Sequence, residues 1–312
     1  MSAKTQSIAI VGGGAMGSVF AGLFAATGHD PVVVSRPGEH IEAIAAKGLR
    51  LEGASGDRTV TVRAFQVPPN EAYDLVILAV KATQVASALK GLAPMVGRET
   101  VILTMQNGLG AADMVTEFFG AERVAVGIAA GFGASVVSPG HARHAGMGAI
   151  QIGAYGALSA DRISAIAELW RSAGFNAEAT DDIVSMQWEK LICNVSFSAP
   201  CAISGLTVGA ALADPALGEV CMAAGIEAWE TARAAGVALR VSDPEAHIRA
   251  FAARVAGAKP SLLQDLEAGR PTEVDYINGA VPRAAARMGR TAPVNGVLTA
   301  LVKSLEGRRA ST

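Results

Sequence analysis

Cysteine is scarce in this chain. There are three among 312 residues, Cys193, Cys201 and Cys221, too few and too irregularly spaced for a disulfide framework or a Cys-x-x-Cys metal site. The expectation is reduced, mostly buried thiols, a cytoplasmic setting and no metal. Charge is scarce too, at 17% of residues, and the formal net charge of -2 provides no field for nucleic acid or an anionic membrane. Ile8 to Thr27 is a stretch of twenty uncharged residues that hydropathy alone would read as a signal peptide or a membrane span. Five of those residues are glycine, at a spacing that an anchor does not explain. What is abundant is apolar: 51% of 312 residues, enough to bury a large core and to divide into two domains.

The informative stretch is Ser7 to Arg36. Ile8 to Val11 is a short β-branched run of the kind buried on both faces of a parallel sheet. Gly12, Gly14 and Gly17 follow at G-x-G-x-x-G spacing, then a helix from about Ala15 to Thr27 and a second strand over Pro31 to Ser35. That order is the confirming context for a dinucleotide loop. Gly12 serves the tight turn, Gly14 the approach of a pyrophosphate and Gly17 the close packing of helix on strand, while the helix N-terminus offers free N–H groups. At the end of the second strand an NAD site would carry Asp or Glu for the ribose 2′-hydroxyl. Here stand Ser35 and Arg36, and a guanidinium pairs with a 2′-phosphate in forked geometry, so NADPH is expected over NADH.

Further along, Glu39 to Lys47 reads as a helix, and Leu49 to Leu51 with Thr59 to Phe65 as a hairpin around Gly53 to Gly56. Asp74 to Val80 and Val101 to Met105 are further buried strands. Ligands bind at the carboxyl ends of such strands, which draws attention to Lys81 and to Asn107 in Gln106-Asn107-Gly108. Lys81 is either a phosphate ligand or a solvated lysine capping the strand. Asn107 is either a turn residue or an amide offering donor and acceptor to nicotinamide or substrate. Val124 to Ala130 is one more strand, followed by a strand pair around Pro139-Gly140 in which His141 and His144 are expected on the sheet surface. A helix from Ser159 to Ser172 and a strand over Asn176 to Thr180 complete an α/β domain, residues 1–180. The pattern then turns wholly helical over 181–312.

In the helical half, Lys190, Asn194 and Ser198 recur at spacing four on an otherwise apolar helix, a polar stripe that must face solvent or line a cleft. Pro260 to Asp265 and Thr272 to Gly279 form a second cluster. Glu273 there reads as a residue near a helix start, or as a carboxylate holding Lys190 if the fold brings them together. Pro215 to Ala235 carries an apolar stripe suited to a core or a dimer, Val294 to Leu305 is the last helix, and Glu306 to Thr312 reads as a frayed tail.

The motifs GGGAMG, VKATQ, QNGLG, WEKLICN, PSLLQD and TEVDYINGAV, in that order and spacing, resemble the ketopantoate reductase (2-dehydropantoate 2-reductase) family over essentially the whole chain. The resemblance implies a Rossmann domain, doubly wound with a mainly parallel sheet, followed by an all-helical domain. It implies NADPH-dependent reduction of a 2-oxo acid in the cleft between them, typically ketopantoate to pantoate in pantothenate synthesis, by a cytoplasmic homodimer. By position it implies Lys190 as proton donor and Glu273 as its partner and a cofactor contact. It also implies Asn107 touching cofactor and substrate, and Asn194 and Ser261 binding substrate, with Ser198 beside them. Gly12, Gly13, Gly14, Ala15, Met16, Gly17, Arg36, Lys81 and the backbone near Gly133 complete the implied cofactor site.

Where bacterial members place further asparagines around the substrate, this chain has Ser198, Val208 and Ala258, which implies a less polar pocket and leaves bulkier 2-oxo acids, as in mandelate-type dehydrogenases, as the alternative. An imine reductase shares the two-domain layout but more often uses a histidine. A non-catalytic NADPH sensor would have no reason to keep Lys190, Asn194, Ser261 and Glu273 together.

Overall fold

The computed structural model describes residues 6–309. The chain divides into two compact units, one of residues up to Gln106 together with Ala111–Ile183, the other of Asn107–Gly110 together with Val184 onward.

The first unit is built on a strand that can tolerate burial on both faces. β1 (Ile8–Val11) is wholly buried, and α1 (Ala15–Ala26) returns the chain to β2 (Val32–Val34), which pairs with β1 in parallel. After α2 (Glu39–Lys47) come β3 (Leu49–Gly53), β4 (Arg58–Val60) and β5 (Arg63–Phe65). Then follow β6 (Tyr73–Leu78), α3 (Val85–Leu92), β7 (Val96–Thr104), α4 (Ala111–Phe119) and β8 (Val124–Ala130). β9 (Gly133–Ser138), β10 (His141–Gly146), β11 (Ala149–Ala154), α5 (Ala160–Ser172) and β12 (Asn176–Thr180) finish the unit.

Eight strands form one sheet in the order β12-β11-β8-β7-β6-β1-β2-β5. From β5 to β8 neighbours run parallel, and β11 joins β8 antiparallel. Succession from β1 goes first to β2 on one side, then to β6 on the other, so the topological switch point lies between β1 and β6. The first unit is therefore an α/β domain with a mostly parallel sheet, as its alternation of strand and helix predicts.

Two expectations need correcting. Thr59 to Phe65 is not one strand. Val60 pairs antiparallel with Leu49, whereas Arg63–Phe65 cross to the large sheet and run parallel to β2. β4 and β3 instead belong to a four-stranded sheet, β4-β3-β10-β9. An alternating pattern fixes which face a residue takes, not which partner the strand chooses. His144, expected on a sheet surface, is fully buried on β10, with its ring 4.5 Å from that of Phe132. Burial holds its imidazole below the usual pKa. His141 does stay near the surface, 3.0 Å from the Glu52 carboxylate.

The second unit is helical: α6 (Ile183–Ser204), α7 (Val208–Ala213), α8 (Pro215–Ala234), α9 (Pro244–Arg254), α10 (Ser261–Glu267), α11 (Ala280–Ala286) and α12 (Pro293–Arg309). Its starts follow local rules. Asp214 and Asp243 cap α8 and α9 by accepting the first free N–H groups, each followed by proline at the first helical position. The residues from Glu306 to Arg309 are helical rather than frayed, and Ala310–Thr312 lie outside the described residues. The core gathers Trp188, Leu191, Ile192 and Val195 from α6 around Cys221, Ala224 and Ala228 of α8.

A buried polar chain threads this core. Asn278 donates to the Val195 carbonyl at 3.0 Å and to Asn295 Oδ1 at 2.9 Å. Asn295 in turn donates to the Ala224 carbonyl and, at 2.8 Å, to Glu227. Glu227 also accepts the Val294 and Asn295 N–H groups at the start of α12. One carboxylate thus caps α12 and fixes the segment carrying Glu273 relative to α6 and α8.

Candidate functional site

In the first unit the glycine turn joins β1 to α1. A Cβ on Gly17 would overlap the Gly12 carbonyl oxygen, so only glycine permits this approach of helix to turn. Gly14, by contrast, is exposed, and an added Cβ there would meet nothing within 4 Å. The first turn of α1, Ala15-Met16-Gly17-Ser18, is uncharged, and its N-cap is a glycine, so its orphan N–H groups face an open side. These residues fit a dinucleotide pyrophosphate.

Beside the turn, Gly13, Ser35, Arg36, Gly38, Glu39 and His40 line a hollow of about 410 Å³. Arg36 is exposed there, at the carboxyl end of β2 and just before α2. His40 is the member that sequence reasoning missed. The Gly140 N–H donates to its Nδ1 at 3.1 Å, which makes Nε2 the protonated nitrogen and donor to Ser18 Oγ at 2.9 Å. Burial lowers its pKa and favours this neutral form. Its spacing of four from Arg36 was a visible but weak signal.

Across the switch point, Lys81 follows β6 and is half-buried ahead of a 3₁₀ turn over Ala82–Gln84. Gln106, just past β7, donates to the Leu78 and Val80 carbonyls at 2.8 and 2.9 Å. Both partners are acceptors, so the amide nitrogen must face them. Its Oε1 is buried and has no protein partner among the described residues, an acceptor suited to a ligand's N–H or O–H. Gly133 lies three residues beyond the carboxyl end of β8, at the start of β9.

The second unit gathers the remaining candidates. Lys190, on α6, donates from Nζ to Asn107 Oδ1 at 2.9 Å. An ammonium can only donate, so this bond turns the Asn107 NH₂ group outward as a donor. Burial brings the Lys190 ammonium down to about 8, with the Glu273 carboxylate acting in the opposite direction.

The loop that presents Asn107 is clasped. Leu109 N–H donates to the Tyr276 carbonyl at 3.0 Å, and Gly108 adopts φ +81°, where a Cβ would overlap that same oxygen. The Glu273 carbonyl accepts from Tyr276 and Ile277 N–H, so the turn that grips the Asn107 loop also presents Glu273. Glu273 therefore precedes a turn over residues 274–279 that leads into α11, seven residues before that helix begins.

Asn107 also lines a cavity of about 180 Å³ with Asn194, Ser198 and Ser261, so four sequence candidates share one wall system. Asn194 and Ser198 come from the polar stripe of α6, and Ser261 from the first position of α10. Cys193, Phe251 and Val255 also line it and were not foreseen; nothing in their local pattern distinguishes them from core.

Two family models match the chain: Ketopantoate reductase PanE/ApbA over residues 8–157, and Ketopantoate reductase PanE/ApbA C terminal over residues 182–306. The chain belongs to the ketopantoate reductase family. It is 32% identical to a 2-dehydropantoate 2-reductase of Pyrococcus horikoshii, covering 96% of this chain and 98% of that one. To the enzyme of Archaeoglobus fulgidus it is 30% identical, over 97% and 99%. Among solved structures, a PanE/ApbA family ketopantoate reductase from Ralstonia eutropha superposes with a TM-score of 0.88 at 32% identity, covering 97% of this chain and 99% of that one. A D-mandelate dehydrogenase solved with NADH and anilino(oxo)acetate gives a TM-score of 0.90 at 25% identity, over 97% and 99%. Membership in the ketopantoate reductase family makes the protein an oxidoreductase acting on CH–OH groups. Among the described residues no helix is long and apolar enough to cross a membrane, and no group of three or more His, Cys, Asp or Glu could hold a metal ion.

Proposed function

We propose that the protein reduces a 2-oxo acid to a 2-hydroxy acid with NADPH, and that Lys190 is the proton donor. The observation that carries this reading is the partly buried Lys190, whose ammonium is bonded to Asn107, which shares its cavity with Asn194, Ser198 and Ser261. 2-Dehydropantoate, the substrate named for the relatives, is the first to assay. The D-mandelate dehydrogenase neighbour, with its bound anilino(oxo)acetate, supports the wider 2-oxo acid class.

Bound NADPH supplies the hydride. The chain's own residues do the rest. Asn194, Ser198 and Ser261 offer hydroxyl and amide donors for the substrate carboxylate. As the carbonyl carbon is reduced, negative charge develops on its oxygen, and Lys190 stabilises that charge, gives up its proton and regains one from solvent. Asn107 holds the ammonium by its oxygen and keeps its NH₂ for the ligand side. Glu273 keeps Lys190 charged against the pull of burial. In the first unit the α1 N-terminus and glycine turn take the pyrophosphate. Arg36 and Ser35, with Lys81 across the switch point, account for a preference for the 2′-phosphate form. The NADH in the neighbour leaves that preference resting on these residues of this chain.

The decisive experiment is Lys190→Ala. Turnover should fall about 10²- to 10⁴-fold, the usual worth of positioned acid catalysis, while NADPH binding measured by fluorescence is retained. Near-normal turnover in this variant would refute the assignment.

A further inference from the structure

We propose that the preferred substrate is a 2-oxo acid whose side chain is branched or aromatic and carries no hydroxyl. The inference rests on the 2-oxo acid reading above and narrows its substrate class. It comes from counting what the cavity can bond. Its polar side chains are Asn107, Asn194, Ser198 and Ser261. A 2-oxo carboxylate presents two anionic oxygens with about four acceptor sites, and a carbonyl oxygen besides, so the acid head alone can occupy these donors; the side-chain acceptors of the lining, Asn194 Oδ1 and the seryl oxygens, sit on those same head-binding groups.

Apart from the Cys193 thiol, the remaining side chains of the lining are carbon, among them Phe197, Val208, Phe251, Val255, Ala258 and Ile277. The Phe197 and Phe251 rings stack, with centroids 6.0 Å apart and planes inclined by 22°. Phe197, Val208 and Ile277 are each buried to within a few per cent of full exclusion. The backbone of this wall is also spoken for. Val208 N–H donates to the Ala258 carbonyl at 3.0 Å and Gly209 N–H to the Ala256 carbonyl at 2.8 Å. Cys193 adds a thiol that burial pushes up to about 12, so it stays neutral and offers a weak partner at most. A hydroxyl on the substrate tail would leave water for a wall of methyl and phenyl groups, whereas a tail without it loses nothing.

The cleanest test is a matched pair. 2-Dehydropantoate and 3,3-dimethyl-2-oxobutanoate share the quaternary carbon and differ only in the terminal hydroxyl. With NADPH, kcat/KM for the hydroxyl-free acid should exceed that for 2-dehydropantoate at least tenfold, and phenylglyoxylate should rank with it. Val208→Thr changes the wall at nearly constant volume and supplies one hydroxyl. It should narrow the ratio severalfold while NADPH binding stays as in the parent. Equal or reversed preference in the parent enzyme overturns the inference and leaves the 2-oxo acid reading standing. Turnover of neither acid, nor of phenylglyoxylate, with NADPH still bound removes the underlying reading and this one with it.

Discussion

Lys190 holds its proton more loosely than a surface lysine, and the sign of that shift has two consequences. A proton donor works below its pKa, so kcat should be level up to about pH 8 and fall roughly tenfold per unit above it. In Lys190→Arg, whose group stays charged, the descending limb should vanish from the kcat–pH profile; its persistence would assign it elsewhere. Stability follows the opposite direction. Between about 8 and the ordinary 10.5 the unfolded chain binds a proton that the fold has shed, so this residue's contribution rises with pH across that window. Arg36 is the other residue whose role is separable. Its removal as Arg36→Ala should raise KM for NADPH about tenfold or more, the worth of a charge-assisted pair, and leave KM for NADH nearly unchanged. Equal losses for both cofactors would deny it the 2′-phosphate. Both residues stood out in the sequence because a charge on an apolar helix, or at a strand end where a carboxylate is usual, is locally anomalous. His40 did not, because its role depends on Gly140, a hundred residues away.

At the scale of elements, local chemistry made α2, β8 and β12 readable to the residue: Gly38 and Gly48 bound α2, Gly131 follows β8, and Gly174 lies just ahead of β12. The elements that were misread depend on partners far off in the chain. Thr59 to Phe65 splits between two sheets, and the pairing of each part is decided by β3 and by β2. The polar chain from Asn278 through Asn295 to Glu227 belongs to the same class. Its two amides are fully buried and hydrogen-bonded to one another, so removing one leaves the other short of a partner. Asn295→Ala should destabilise the protein by about 2 kcal/mol, counting the buried Asn278 amide left short of an acceptor, while Glu227 keeps the Val294 and position-295 N–H groups. Urea denaturation reads this directly, and a loss below about 1 kcal/mol would mean that the network is dispensable.

For the whole molecule, the α/β-then-helical order was legible because the strands cease after residue 180. The assignment of 107–110 was not, because nothing in Asn-Gly-Leu-Gly distinguishes an ordinary turn from a segment that bonds to Tyr276, 167 residues after Leu109. The two units should answer differently to cofactor. NADPH at a hundred times its dissociation constant adds about 2.7 kcal/mol to the structure that binds it. Hydrogen exchange should therefore slow in β1 and α1 and change little in α8 and α9. Protection confined to the helical unit would place the nucleotide in the wrong half.

That four-residue loop also limits how the protein can be cut. A fragment beginning at Val184 would keep Lys190, Ser261 and Glu273 but would leave the Lys190 ammonium without its amide anchor and the Tyr276 carbonyl without its N–H donor. Splitting the gene after the last strand, or grafting a relative's helical half at that junction, thus parts the proposed proton donor from Asn107, and a chimaera that keeps this contact must bring residues 107–110 along with the helices they pack on.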